Sequence, residues 1–171
     1  MRISTPALRP VLALVGLVVV AATSGCSLTG SGSGSEPTRD ADGAIVETED
    51  AADVFAITVG DCTNDEDLSA TEVSTVPAVP CDTEHDNEAY WAFELEGDDF
   101  PGATEVENLA DEGCYGAFEA FVGAAYEDSR YDYFPMTPTT ESWAQGDREV
   151  VCFVYDAAGE KLTGSAAGTA V

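Results

Sequence analysis

The sequence is poor in basic residues. Of 171 residues, six are Lys or Arg and 33 are Asp or Glu, a formal net charge of −27 at pH 7. Two of the six, Arg2 and Arg9, precede the first apolar run. Without them four basic residues face 33 acidic ones, a formal charge of −29. So anionic a surface repels nucleic-acid phosphates, which argues against DNA or RNA as a partner, and it repels anionic lipid headgroups. Partners are expected to be cationic, neutral or metal-bearing. Charge excess of this kind first reflects solvation; a specific acidic binding face is the sharper alternative.

Other absences narrow the chemistry. There is one histidine, His85, so a Ser/His/Asp hydrolase would have to use it, and no Gly-x-Ser-x-Gly motif is present. No Cys-x-x-Cys pair exists, which leaves a zinc site or a thioredoxin-like centre without its usual ligands. No cofactor motif is found, and no metal site is assigned. The apolar run Val11 to Ala22, VLALVGLVVVAA, has 12 residues. A membrane-spanning helix needs about 20.

What is there begins with an export signal. A basic start, a short apolar core and the small residues Ala22-Thr23-Ser24-Gly25 before Cys26 resemble a lipoprotein signal peptide over residues 1–25. The resemblance implies that Cys26 takes a diacylglycerol and becomes the first residue of the mature chain. Thr23 departs from the Leu or Val usual three residues before such a cysteine. Two or three acyl chains anchor stably where one is marginal. The expected location is the extracytoplasmic face of the cell membrane, held by the lipid.

The cysteine count fits this reading. Lipidation of Cys26 leaves Cys62, Cys81, Cys114 and Cys152, an even set that can oxidise outside the cytoplasm. Four cysteines allow three pairings. Cys62 and Cys81 follow strand ends in the N-terminal half, Cys114 lies on a helical apolar stripe, and Cys152 lies in a strand. That favours Cys62–Cys81 with Cys114–Cys152.

Residues 26–53 read as the lipidated cysteine and a flexible acidic tether. The stretch opens with Ser-Leu-Thr-Gly-Ser-Gly-Ser-Gly-Ser, and from Glu36 to Asp53 its only sizeable apolar residues are Ile45 and Val46. Residues 54–171 read as the folded domain. Val54 to Val59 suggests a strand ending at Gly60-Asp61. Glu72 to Val79, interrupted by Pro77, suggests an edge or irregular strand. Glu88 to Leu95 alternates, with Ala89, Trp91, Phe93 and Leu95 on one face. Ala103 to Gly123 carries apolar residues three and four apart, with Thr104 as a cap and Gly123 as a stop. Tyr131 to Met136 suggests a short strand, Pro138 to Trp143 a threonine-capped helical turn, and Glu149 to Tyr155, apolar on both faces, a central strand. Lys161 to Ala166 is expected to return antiparallel to it. The fold class is α+β: an antiparallel or mixed sheet with one main helix packed on it and two disulfides.

Several residues invite a functional reading. His85 lies among carboxylates in Cys81-Asp82-Thr83-Glu84-His85-Asp86-Asn87-Glu88; fixing the local turn is the simpler role. Asp61-x-x-Asn64-Asp65-Glu66-Asp67 resembles part of a calcium loop but lacks its glycine and final glutamate. Arg148, beside Asp147 and after Trp143, is expected to find a carboxylate partner and to stack on Trp143; a ligand-carboxylate clamp is the functional alternative. Trp143, Asp147, Arg148 and His85 thus form a candidate ligand or structural cluster.

Beyond these patterns, the domain resembles the septum-formation family of actinobacterial membrane-associated and lipoprotein domains. The resemblance rests on Val59-Gly60-Asp61-Cys62, Val76-Pro77-Ala78-Val79-Pro80-Cys81 with His85-Asp86, Glu112-Gly113-Cys114, and Trp143-x-x-Gly146-Asp147-Arg148-x-x-x-Cys152. It implies a link to septum formation in cell division and supplies no catalytic residues. The expectation is a non-catalytic binding or scaffolding domain of the cell envelope, with envelope or divisome proteins as partners. The alternatives are a cell-wall hydrolase and a divalent-cation or cationic-ligand binding protein.

Overall fold

The computed structural model describes residues 34–65 and 73–171. In chain order its strands are β1 (Glu49–Asp53), β2 (Cys62–Thr63), β3 (Thr75–Val79), β4 (Glu84–His85), β5 (Asn87–Glu94), β6 (Tyr131–Met136), β7 (Glu149–Asp156) and β8 (Leu162–Thr163). The helices are α1 (Ala103–Val122) and the short α2 (Thr140–Ala144). Among the described residues, six strands form one antiparallel sheet in the order β1-β3-β2-β5-β7-β6. The signal-peptide segment and Cys26 lie outside the described residues.

β7 explains why one strand is apolar on both faces. It is flanked by β5 and β6, and its side chains alternate. Val150, Cys152 and Val154 point into a core shared with α1, whereas Val151 and Phe153 point into a second core on the opposite face. α1 meets the first core with Val106, Ala110, Cys114, Phe118 and Val122, four residues apart and all buried. Each of the large side chains among them adds about 2 kcal/mol on burial. The helix starts at Gly102, with φ 102°, rather than at a Thr104 cap, because glycine alone tolerates the turn that follows Pro101. It ends at left-handed Gly123, as its sequence suggests.

Both disulfides form as the element reading favours. Cys62–Cys81 joins β2 to the end of β3, and Cys114–Cys152 pins α1 to β7.

The second face corrects the reading of residues 34–53 as tether. That segment packs across the sheet, with Ile45, Ala52, Val54 and Ile57 buried against Val76, Ala78, Ala89, Val151 and Phe153. β1 pairs with β3, and single bridges join Ser35 to Ala52 and Arg39 to Ile45. The Arg39 guanidinium grips the buried Asp61 carboxylate through both Nη atoms, at 2.6 and 2.7 Å. A few apolar residues suffice here because they fill a face that is already apolar; composition averaged along the segment conceals this.

Other differences are local. The strand expected over Val54 to Val59 lies five residues earlier, as β1, and Val54–Ala56 instead forms a 3-10 turn whose N-terminus Asp53 caps through Phe55 N–H. β3 is an interior strand; Pro77 is tolerated because it falls opposite the bulge between Glu49 and Ala52 of β1. The Lys161 to Ala166 return pairs with β4 rather than with β7. In β5 a bulge between Ala89 and Trp91 shifts the register, so Ala89 faces the second core while Tyr90 and Phe93 pack against the first.

Candidate functional site

An apolar groove opens between α1 and the outer side of β5, about 600 Å³ in volume. One wall is made by Val59, Tyr90 and Trp91. The other is the helix surface bearing Gly113, Gly116, Ala117 and Ala120, closed by Phe121. Small residues at spacings of three and four leave α1 smooth along this line, which is what creates the space. The bulge at Tyr90 brings two consecutive aromatic residues to the helix side of β5. Trp91 remains 47% exposed and Val59 50% exposed. Tyr90 is buried and donates its hydroxyl to Cys114 O at 2.7 Å. Burial, reinforced by Tyr133 and Asp111, pushes its phenol well above the ordinary tyrosine range, so it stays a protonated donor.

The helix surface next to the groove is acidic. Glu105, Glu112 and Glu119 recur every seven residues on α1 and are all exposed. Gly116 lies four residues from Glu112 and three from Glu119, which places these two glutamates beside it on the solvent side, with Glu105 two turns nearer the start of the helix. Every described basic residue is already engaged. Arg39 pairs with Asp61, Arg130 with Asp156, and Lys161 with Asp86. Arg148 is held by carbonyls.

The structure brings Trp143, Asp147 and Arg148 together and places His85 elsewhere. The Arg148 guanidinium lies 3.8 Å from the Trp143 ring centre. No carboxylate among the described residues takes the place of the expected partner. Arg148 donates instead to the carbonyls of Gly97, Asp98, Trp143 and Asp147. The turn after α2 and the loop after β5 converge here, and their carbonyls are the nearest acceptors. Trp143 Nε1 donates to Asp98 O, and its ring meets Phe100 edge-on at 5.5 Å. Asp147 accepts Glu149 N–H, closing the turn into β7. With its donors spent on the backbone, Arg148 ties two loops together rather than clamping a ligand.

His85 is fully buried in the β4–β8 ladder, opposite Leu162. Its Nδ1 donates to Thr83 O at 2.9 Å, and no described group hydrogen-bonds its buried Nε2. From Asn87 to Leu95, just past the end of β5, the chain spans about 25 Å, so His85 and Arg148 lie near opposite ends of that strand. Of the calcium-loop-like residues, Asp61 is taken by Arg39 and Thr58, Asn64 accepts Lys161, and Glu66 and Asp67 lie outside the described residues. Among the described residues, no group of three or more His, Cys, Asp or Glu side chains is placed to hold a metal ion. None of the described helices is long and apolar enough to cross a membrane.

A second cavity of about 310 Å³ lies between α2 and the 3-10 turn, bordered by Phe55, Met136, Ser142 and Glu149. Burial first, then the negative charges of Asp147 and Glu94, raise the Glu149 carboxyl above its ordinary range.

The architecture is that of a disulfide-pinned α+β domain bearing a surface groove. A family model described as septum formation matches residues 59–170, and the chain belongs to that family, which ties it to septum formation. Neither the curated proteins nor the solved structures include a match to this chain. The groove residues were missed by sequence reasoning. Their one signal was the run Gly113-x-x-Gly116-Ala117-x-x-Ala120, small residues beside the core stripe of an otherwise well-patterned helix.

Proposed function

We propose that this chain is a membrane-anchored extracytoplasmic lipoprotein whose folded domain acts without catalysis, binding or scaffolding other envelope components during septum formation. The observation that carries the reading is the groove: an exposed tryptophan beside a smooth helix surface, a concave apolar site of binding size. Family membership supports the septal context. Two disulfides in a domain of this size suit an oxidising compartment. Lipidation at Cys26 supplies the anchor. Eight peptide units separate Cys26 from Gly34, so the folded part would begin within about 28 Å of the acylated residue.

A fluorescent fusion of the full chain tests this. The expected result is enrichment at the division septum and in the membrane fraction, with Cys26→Ala released from the membrane. Uniform envelope signal would overturn the septal part; membrane retention of Cys26→Ala, or mass spectrometry finding no acyl group on Cys26, would overturn the anchor.

A further inference from the structure

We propose that the free edge of β5 beside the groove binds an extended segment of another protein as an added β-strand, and that this segment alternates apolar with cationic side chains. The proposal rests on the binding-domain reading above and adds the mode and chemistry of the partner.

The edge arises from the shortness of β2. β2 pairs with β5 only at Asn87 and Glu88, and the last contacts on that side are Gly60 N–H to Ala89 O and Ala89 N–H to Asp61 O. Past the bulge, β5 continues to Glu94 with β7 as its one ladder partner among the described residues. Leu95 N–H donates to Arg148 O at 2.8 Å, which fixes the alternation: Leu95, Phe93 and Trp91 bond towards β7. Ala92 and Glu94 therefore turn their N–H and C=O groups the other way, where no hydrogen bond from the described residues meets them. Such an edge is a template for another strand.

The groove lies along the same edge. A strand added beside Trp91 would send alternate side chains to the helix side, over the smooth surface at Gly113, Gly116 and Ala120. Those side chains should be apolar. The others face the opposite side of the sheet, where exposed Glu94 ends the edge. The helix beside the groove carries exposed Glu112 and Glu119, and the described basic residues are all engaged within the domain. Lysine or arginine therefore complements the site. A second copy of this chain, itself at −27, is repelled from it.

The test uses the full chain and a short synthetic peptide alternating valine and lysine, with a valine–glutamate peptide as counterpart. Calorimetry is expected to show saturable binding of the lysine peptide, weakened roughly tenfold or more by about 0.5 M salt, and no binding of the glutamate peptide. Gly116→Leu fills the groove where an added side chain meets open space, so the variant should fold normally and bind at least about tenfold more weakly. Amide exchange at Ala92 and Glu94 should slow when the lysine peptide is bound. Equal binding by Gly116→Leu, equal binding of the glutamate peptide, unchanged exchange at Ala92 and Glu94, or self-association that Gly116→Leu abolishes would each overturn the proposal. Septal enrichment that persists in Gly116→Leu alongside such a result would leave the septal role standing and remove only the groove's part in it.

Discussion

Phe93 of β5 occupies the space that a side chain on Gly113 of α1 would need. A methyl group added at Gly113 would overlap the Phe93 ring. Three residues on, Gly116 faces open space, and an added methyl meets nothing. The same change at two helical glycines should therefore have opposite signs. Gly113→Ala should destabilise by about 1–3 kcal/mol, the cost of forcing a packed ring aside. Gly116→Ala should stabilise by up to about 1 kcal/mol through helix propensity alone. Urea unfolding of the two variants reads this directly; a gain in both would show that the Phe93 ring yields freely.

Arg148 should resist conservative replacement. Its planar guanidinium stacks on Trp143 while donating to four carbonyls of two separate loops. A lysine ammonium cannot reproduce that spread. Arg148→Lys and Arg148→Ala should each lose about 2–3 kcal/mol, within error of one another, from stacking and from hydrogen bonds to a charged group. Restoration of most of the stability by lysine would mean that charge, not shape, holds the loops.

The segment before β2 should behave as core. Ile45→Ala is expected to cost about 2–4 kcal/mol, the usual range for emptying a buried aliphatic site. Arg39→Ala should cost about 3–5 kcal/mol, because it leaves Asp61 buried without its cation. Thermal melting of the full chain checks both. Unchanged melting would return the segment to the status of a linker.

Glu94 and Glu149 lie directly opposite each other in the β5–β7 ladder. Like charges so placed repel. With its carboxyl raised, folded Glu149 keeps a proton that the unfolded chain has already lost between about pH 4.3 and the raised value. Stability contributed by that proton falls as pH rises through this window. Glu149→Gln should therefore melt above the parent at pH 7, by less than about 1 kcal/mol because solvent screens the pair. Below the ordinary carboxylate range the difference should vanish, since the parent is then neutral there as well. An equal gain at both pH values would point to packing rather than charge.

Much of the domain was legible because its patterns are local. α1 and β7 announce themselves by the spacing of Val106, Ala110, Cys114 and Phe118 and by the unbroken Val150 to Val154 run. Once those two are in place, the Cys114–Cys152 bridge follows from a helix lying on a sheet. The unread parts depend on distant partners. Ile45 is a lone apolar residue until the back of the sheet exists to receive it. The bulge at Tyr90 leaves no mark in the alternation of β5, yet it decides that Tyr90 joins Trp91 on the helix side and that Ala89 faces the other core. Arg148 found carbonyls where the surplus of acids suggested carboxylates, because loop geometry, not abundance, determines the nearest acceptor.

The packing of residues 34–57 across the back of the sheet separates two boundaries that are easily taken as one. The stretch that the family model matches starts at Val59. The stretch that folds starts some 25 residues earlier, at or before Gly34. A recombinant fragment cut at the first boundary would bare Val76, Val151 and Phe153 to water and present β3 without β1. Such a fragment should aggregate rather than dissolve, despite its abundance of acidic residues.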